Sequence, residues 1–167
     1  TTGAESLNSK NVISFSGSKI LTGPNAAIPA GATEYTIFAV WKAIGANQAL
    51  FHMGSDSTRR AIGSHTIGAG DNLRHYWWSS DLDSGAATFS NSAAHVVTHG
   101  WDSASGAVIT RIDETEYSNS NSGKDTNAVN FALGYIPGYG FGLNGFIAEF
   151  VIYHTALSPA EIAQNEA

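Results

Sequence analysis

The sequence predicts an all-β fold, an antiparallel β-sandwich closed by one short C-terminal helix. Three observations carry that expectation. Of 167 residues 18 are Gly and only 13% are charged, with much Ser, Thr, Asn and Ala, a composition of many strands joined by turns rather than of a helical bundle. Short runs of apolar, β-branched and aromatic residues recur between clusters of Gly, Ser, Asn and Asp. The last such run, Phe146 to Tyr153, passes into Leu157-Ser158-Pro159-Ala160-Glu161-Ile162, which spells the start of a capped helix.

Each element follows in order. Ile13 and Phe15 alternate with Ser14 and Ser16 before Gly17, which predicts a hairpin from Asn11 to Leu21 at the sandwich edge. From Glu34 to Lys42, Tyr35, Ile37, Ala39 and Trp41 fall on one face and Thr36, Phe38 and Val40 on the other, apolar enough on both for a central strand. A short strand over Ala49–Gly54 and a polar loop over Ser55–Arg60 come next. Ala61–Ile67 and Leu73–Trp78 form a hairpin around the turn Gly68-Ala69-Gly70-Asp71-Asn72. Ala94–Trp101 and Ala107–Ile112 flank another turn, and Asp113-Glu114 leads into a short strand. Beyond the Ser/Asn-rich loop Ser118–Asp125, a strand is expected over Asn127–Gly134, then a loop, Gly134 to Gly142, that interleaves Gly with Tyr135, Tyr139 and Phe141. The terminal strand is apolar enough to be covered on both faces, with Glu149 the exception. Ser158 stands as N-cap, Pro159 at the first helical position and Glu161 completes a capping box.

Size and charge exclude several classes. A chain 43% hydrophobic and 11% aromatic buries a core as one domain, residues 1–167, and the lack of a Gly stop after its last helix formers suggests a piece of a longer polypeptide. Fourteen acidic against 8 basic residues give a formal charge of −6, and the basic residues are scattered, so nucleic acid is not an expected partner. No apolar run is long enough for a membrane-spanning helix. With no Cys, disulfides and thiolate metal sites are excluded.

Three segments resemble a known family. The Gly145-to-Ile162 junction is similar to the C-terminal signature of laminin-G-like, concanavalin A-like domains, and Ile13 to Leu21 to their opening strands. His95-Val96-Val97 through Asp113-Glu114-Thr115 resembles their central segment, with Glu114 where the family has Gly, which implies a different turn there. The resemblance implies a jelly-roll sandwich with its first and last strands side by side. That fold hosts lectins, adhesion modules, glycanases and viral fibre parts alike, so function has to come from a site.

Acidic pairs give the glycanase reading little support. Glu114 and Glu116 share a strand face, but Asp113 points away and Ile112 stands where another acid is needed. Glu149 is a lone acid between Ile147 and Val151, in keeping with a structural carboxylate rather than a general acid. His95 and His99 would chelate on a helix, yet on a strand they lie about 13 Å apart and share a face with Val97 and Trp101. Asp81-Leu82-Asp83-Ser84-Gly85 lacks the closing Glu of an EF-hand. An irregular calcium loop would use Asp56, Asp71, Asp81 or Asp83 with backbone carbonyls, although oxygen-rich loops are usually empty. No phosphate loop, Gly-x-Ser-x-Gly elbow or His-Glu-x-x-His occurs.

The most loaded segment is Leu73 to Asp81. Leu73, His75 and Trp77 share one strand face and Arg74, Tyr76 and Trp78 the other, and two aromatic sets do not fit one core layer. One face therefore looks outward, unless loops cover both. Sugars present C–H faces and hydroxyls, and an aromatic platform beside Arg, His or Asp suits them. The expected contacts are Arg59, Arg74, His75, Tyr76, Trp78, Asp81, Trp101 and Tyr139, in a non-catalytic module that binds a glycan or polysaccharide in an extracellular, secreted or virion-surface setting. The second expectation is a protein-contacting part of a larger extracellular or viral assembly.

Overall fold

The computed structural model describes residues 2–7, 10–69, 71–86, 88–89 and 92–167, with residues 2–5 described by their backbone alone. The strands are β1 (Thr2–Leu7), β2 (Lys10–Ser16), β3 (Leu21–Thr22), β4 (Tyr35–Ala43), β5 (Ala49–Gly54), β6 (Ala61–Ile67), β7 (Asn72–Tyr76) and β8 (Leu82–Asp83). They continue as β9 (Ala94–Trp101), β10 (Ala107–Ile112), β11 (Thr115–Ser120), β12 (Ala132–Leu133), β13 (Tyr135–Ile136), β14 (Phe141–Gly142) and β15 (Asn144–Tyr153), before the helix α1 (Pro159–Glu166).

Two antiparallel sheets face each other. The larger has seven strands in the order β1-β2-β15-β4-β9-β10-β11 and the smaller has six, β3-β12-β5-β6-β7-β8. Strand β15 lies between β2 and β4, so the early strand β2 and the terminal strand pair, with Phe15 opposite Gly145. Tyr35, Ile37, Ala39 and Trp41 of β4 turn inward onto Leu50, Phe51 and Met53 of β5, Ile62 of β6, and Leu73 and Trp77 of the β7 segment, all buried. Period-2 patterning thus decides which face of β4 is core.

Helix α1 begins as the sequence predicts. Ser158 accepts from the Glu161 amide, and the Glu161 carboxylate takes the Ser158 amide at 2.8 Å. Its far end is also held, because the buried Glu166 carboxylate accepts from Arg111 Nη2 at 2.9 Å and from Thr98 Oγ1 at 2.5 Å.

Four expectations are corrected. Asn11 to Leu21 is no hairpin: β2 belongs to the seven-stranded sheet and β3 to the six-stranded one, so the chain changes sheet after Gly17. Only Ala132–Leu133 of the run 127–134 is strand, with Asn130 in left-handed backbone at φ 58°. Strand β15 is not covered on both faces; a bulge between Ile147 and Glu149 leaves Ala148 and Glu149 exposed. The β10–β11 turn keeps left-handed backbone at Asp113 (φ 47°) and Glu114 (φ 69°), so a non-Gly residue tolerates the conformation instead of changing it. The β6–β7 hairpin stands, although Gly70 in its turn lies outside the described residues.

Candidate functional site

The two faces of the β7 segment separate completely. Leu73, His75 and Trp77 enter the core, while Arg74, Tyr76 and Trp78 stand on the outer side of the six-stranded sheet. His75 is therefore not a surface contact: it is 1% exposed, bonds the Tyr35 hydroxyl at 2.7 Å and lies 4.5 Å from the His99 ring. Burial lowers the His75 pKa to about 3, so the ring stays neutral in the fold.

On the outer side, Tyr76 lies flat over Gly63, where any Cβ would collide with its ring. Its hydroxyl donates to His52 Nδ1, and His52 Nε2 donates to the Gly54 carbonyl at 3.0 Å. Burial pushes the Tyr76 hydroxyl pKa up and the His52 pKa down, so both rings stay uncharged. A flap made of β13, the turn Pro137–Tyr139 and β14 crosses this surface, seating Ile136 on Ala49, Ala61 and Tyr76.

Tyr139 stands at the tip of that flap. It is 40% exposed, and its ring is nearly parallel to Trp78 (5.4 Å, 19°) and to Phe141 (5.2 Å, 21°). Beneath them is His65, 5.4 Å from the Tyr139 ring. Its Nδ1 donates to the Thr66 carbonyl at 2.9 Å, which leaves Nε2 as a buried acceptor without a hydrogen-bond partner. Gly138 is pinned between Asp56 and Trp78, since a Cβ there would come within 2.7 Å of both.

Charge gathers beside the rings. Arg74 clamps Asp83 with two bonds, Nε–Oδ1 at 2.6 Å and Nη2–Oδ2 at 2.7 Å. Asp81 Oδ2 lies 3.6 Å from Arg74 Nη1, and its Oδ1 accepts the Trp77 amide at 2.9 Å. The two carboxylates hold the Arg74 pKa above its ordinary value. Asp56 completes the set, 3.7 Å from His52 Nε2. Among the described residues no three His, Asp or Glu side chains converge as a metal site. Asp81 and Asp83 are turned to Arg74 instead.

The fold thus brings together Arg74, Trp78, Asp81 and Tyr139 of the eight expected contacts; Tyr76 packs beneath the flap, 0% exposed, and is not presented for contact. Arg59 flanks the group, its amide donating to the Trp77 carbonyl at 2.7 Å and its Nε to Ser80 Oγ at 3.4 Å. Trp101 is elsewhere, 4% exposed in the core with its ring 5.5 Å from Trp77, and like His75 is not presented for contact. The sequence reading did not single out His52, His65, Asp56 or Asp83 as contacts; His65 alternates in phase with Ala61 and Gly63, the one signal that it faces outward.

It also missed Lys124. This side chain is 2% exposed, and Nζ donates to the carbonyls of Pro29 (2.9 Å), Gly31 (3.2 Å) and Thr33 (2.9 Å) while lying 5.0 and 5.1 Å from the Tyr35 and Trp101 rings. Burial draws its pKa down to about 7, and three carbonyl acceptors match the three protons of an ammonium.

Solved structures share this architecture. The CBM40 module of the Ruminococcus gnavus IT-sialidase superposes with a TM-score of 0.73 at 15% identity over 95% of this chain and 97% of that one. Domain 4 of the extracellular GH43 arabinanase AbnA of Geobacillus stearothermophilus, solved with arabinotriose, gives 0.69 at 17% identity over 100% and 82%. The leech intramolecular trans-sialidase gives 0.69 at 16% identity over 93% of this chain, which spans 27% of that longer protein. The chain has a concanavalin A-like jelly-roll fold. No family model and no curated protein matches the sequence.

Three hollows of this jelly roll lie away from the aromatic face. One of about 480 Å³ runs between the seven-stranded sheet and α1, lined by Ile109, Glu116, Leu157 and Ile162. Another of about 380 Å³ lies beside Trp101 and Lys124, and a third of about 510 Å³ beside His95, Asp113 and Glu149. None joins an exposed aromatic ring to a guanidinium, as the outer face does. The acids once considered for catalysis are engaged or isolated: Asp113 binds His95 Nδ1 at 2.6 Å and the Val96 amide at 3.0 Å, Glu116 sits 3.3 Å from Arg111, and Glu149 is exposed.

Proposed function

We propose that this jelly roll is a non-catalytic carbohydrate-binding module whose sugar surface is the outer side of the six-stranded sheet. The observation that carries the reading is Tyr139, an exposed ring stacked on Trp78 and set beside Asp81 and Arg74, which in turn grips Asp83. Tyr139 and Trp78 supply the apolar platform and the charged groups supply hydroxyl partners. Tyr76, His52 and Gly138 hold the platform in place. The R. gnavus module solved with bound α2,3-sialyllactose and the arabinanase domain solved with arabinotriose support a glycan as the partner. An extracellular setting follows from the same reading, and no described helix is long and apolar enough to cross a membrane.

A glycan-array screen of the domain, with calcium and again with a chelator, tests this. Saturable binding that Tyr139→Ala abolishes supports the module, and calcium dependence would assign the loop carboxylates to an ion. Blank arrays in both conditions overturn it. They favour instead a protein-contacting assembly module, for which Ile20 and Leu21, 49% and 43% exposed at the β3 edge of the six-stranded sheet, supply an apolar surface.

A further inference from the structure

Resting on that reading, we infer that the face selects neutral, hydroxyl-rich glycans and rejects glycans that carry a carboxylate. A carboxylated sugar needs an uncommitted cation, and Arg74 is committed. Its Nε and Nη2 already grip both oxygens of Asp83, at 2.6 and 2.7 Å, and Asp81 stands 3.6 Å from Nη1. Its Nη1 edge keeps N–H groups free, but a ligand carboxylate reaching them would meet a guanidinium whose charge is already balanced by Asp83 and Asp81, and would add a third carboxylate to the cluster.

The surrounding field points the same way. Asp81 and Asp83 face one guanidinium and Asp56 stands beside Gly138 of the flap, so the surface carries an excess of negative charge, in a protein of net charge −6. Of the neighbouring guanidinia, Arg59 runs towards Ser80 and Gly123, and Arg60 is paired with Asp125 at 3.0 Å. Ionised carboxylates are acceptors only, and Asp81 and Asp83 present them at this surface. A surface rich in acceptors fits a ligand rich in donors, and sugar hydroxyls are donors. Discrimination of this kind works as much by what is repelled as by what is held.

Matched ligands test the inference. Arabinotriose and lactose would be compared with α2,3-sialyllactose, which adds a carboxylate to lactose, within an array containing neutral and uronate oligosaccharides. The expected result is binding confined to neutral members. In Asp83→Asn, which frees Arg74, a carboxylated glycan should gain about tenfold or more relative to its neutral counterpart. A native protein that binds the carboxylated members as well as, or better than, the neutral ones overturns the inference and leaves the carbohydrate-binding reading intact. A blank array overturns both. The native-protein comparison decides the matter even where Asp83→Asn fails to fold, which loss of its cooperative melt would reveal.

Discussion

Tyr139 is the side chain on which the proposed sugar face most depends, because the flap lifts its ring into solvent while Trp78 and Phe141 fix its plane. Tyr139→Ala should therefore weaken glycan binding at least about tenfold, the cost of one stacking ring, while a melt stays cooperative and shifts little, since the ring is 40% exposed. Isothermal titration beside a thermal scan checks both halves; a collapsed melt would make Tyr139 a structural residue. Lys124 is the opposite case. Lys124→Met keeps the stem but leaves the carbonyls of Pro29 and Thr33 without a donor, so a loss of roughly 3 kcal/mol in urea unfolding is expected. An unchanged midpoint would show that the ammonium contributes nothing. Nothing in the sequence announced this lysine: it ends a loop of Ser, Asn and Gly that reads as solvated, and only its tertiary position beneath Tyr35 and Trp101 buries it.

Helix α1 shows how a short element holds its place. Eight residues are too few to form a stable helix alone, so both its ends are tied, by the Ser158 capping box and by Glu166 on Arg111. Ser158→Ala should cost about 1 kcal/mol by denaturant unfolding, and Glu166→Gln more than that, because Arg111 would lose a buried charged partner. Equal, negligible costs would mean that α1 adds nothing to the sandwich. The box was readable in four letters, Ser-Pro-Ala-Glu, whereas the Glu166 anchor was not, since its partners Thr98 and Arg111 are 68 and 55 residues away. The same contrast holds for the strands. Alternation fixed the inward face of β4, but β7 carries large side chains on both faces, and only the flap over Tyr76 reveals which one looks outward.

The two sheets meet over a polar interior as well as an apolar one. Trp77, Tyr35 and His75 form one hydrogen-bonded chain between them, and His99 bridges Ser64 and Thr110 at 2.8 and 3.0 Å. Burial holds His75 at a pKa of about 3 and lowers His99 well below its ordinary 6.5, so the unfolded chain binds more protons than the fold between those limits. Stability is then complete above about pH 6.5 and falls as pH drops towards 3, by up to about 1.4 kcal/mol per pH unit for each histidine. Urea midpoints at pH 7.5, 6 and 5 should decline in that order, and a flat series would place the titrating protons elsewhere. The sandwich class was legible from composition and strand period, but this spine was not: His95 and His99 read as one face of a strand, while the pairing of His99 with His75 depends on how the sheets superpose.

The backbone under the proposed sugar face is held in an unusual shape. Trp78 and Ser79 hold φ angles of 58° and 82°, a conformation that a bulky residue such as Trp rarely adopts. That cost falls on folding, and the Tyr139 stack and the pinned Gly138 keep it in place. A ligand then meets a surface whose shape is already set, so little ordering entropy is lost on association. Losing this rigidity would show first as faster dissociation, with the rate of encounter hardly changed.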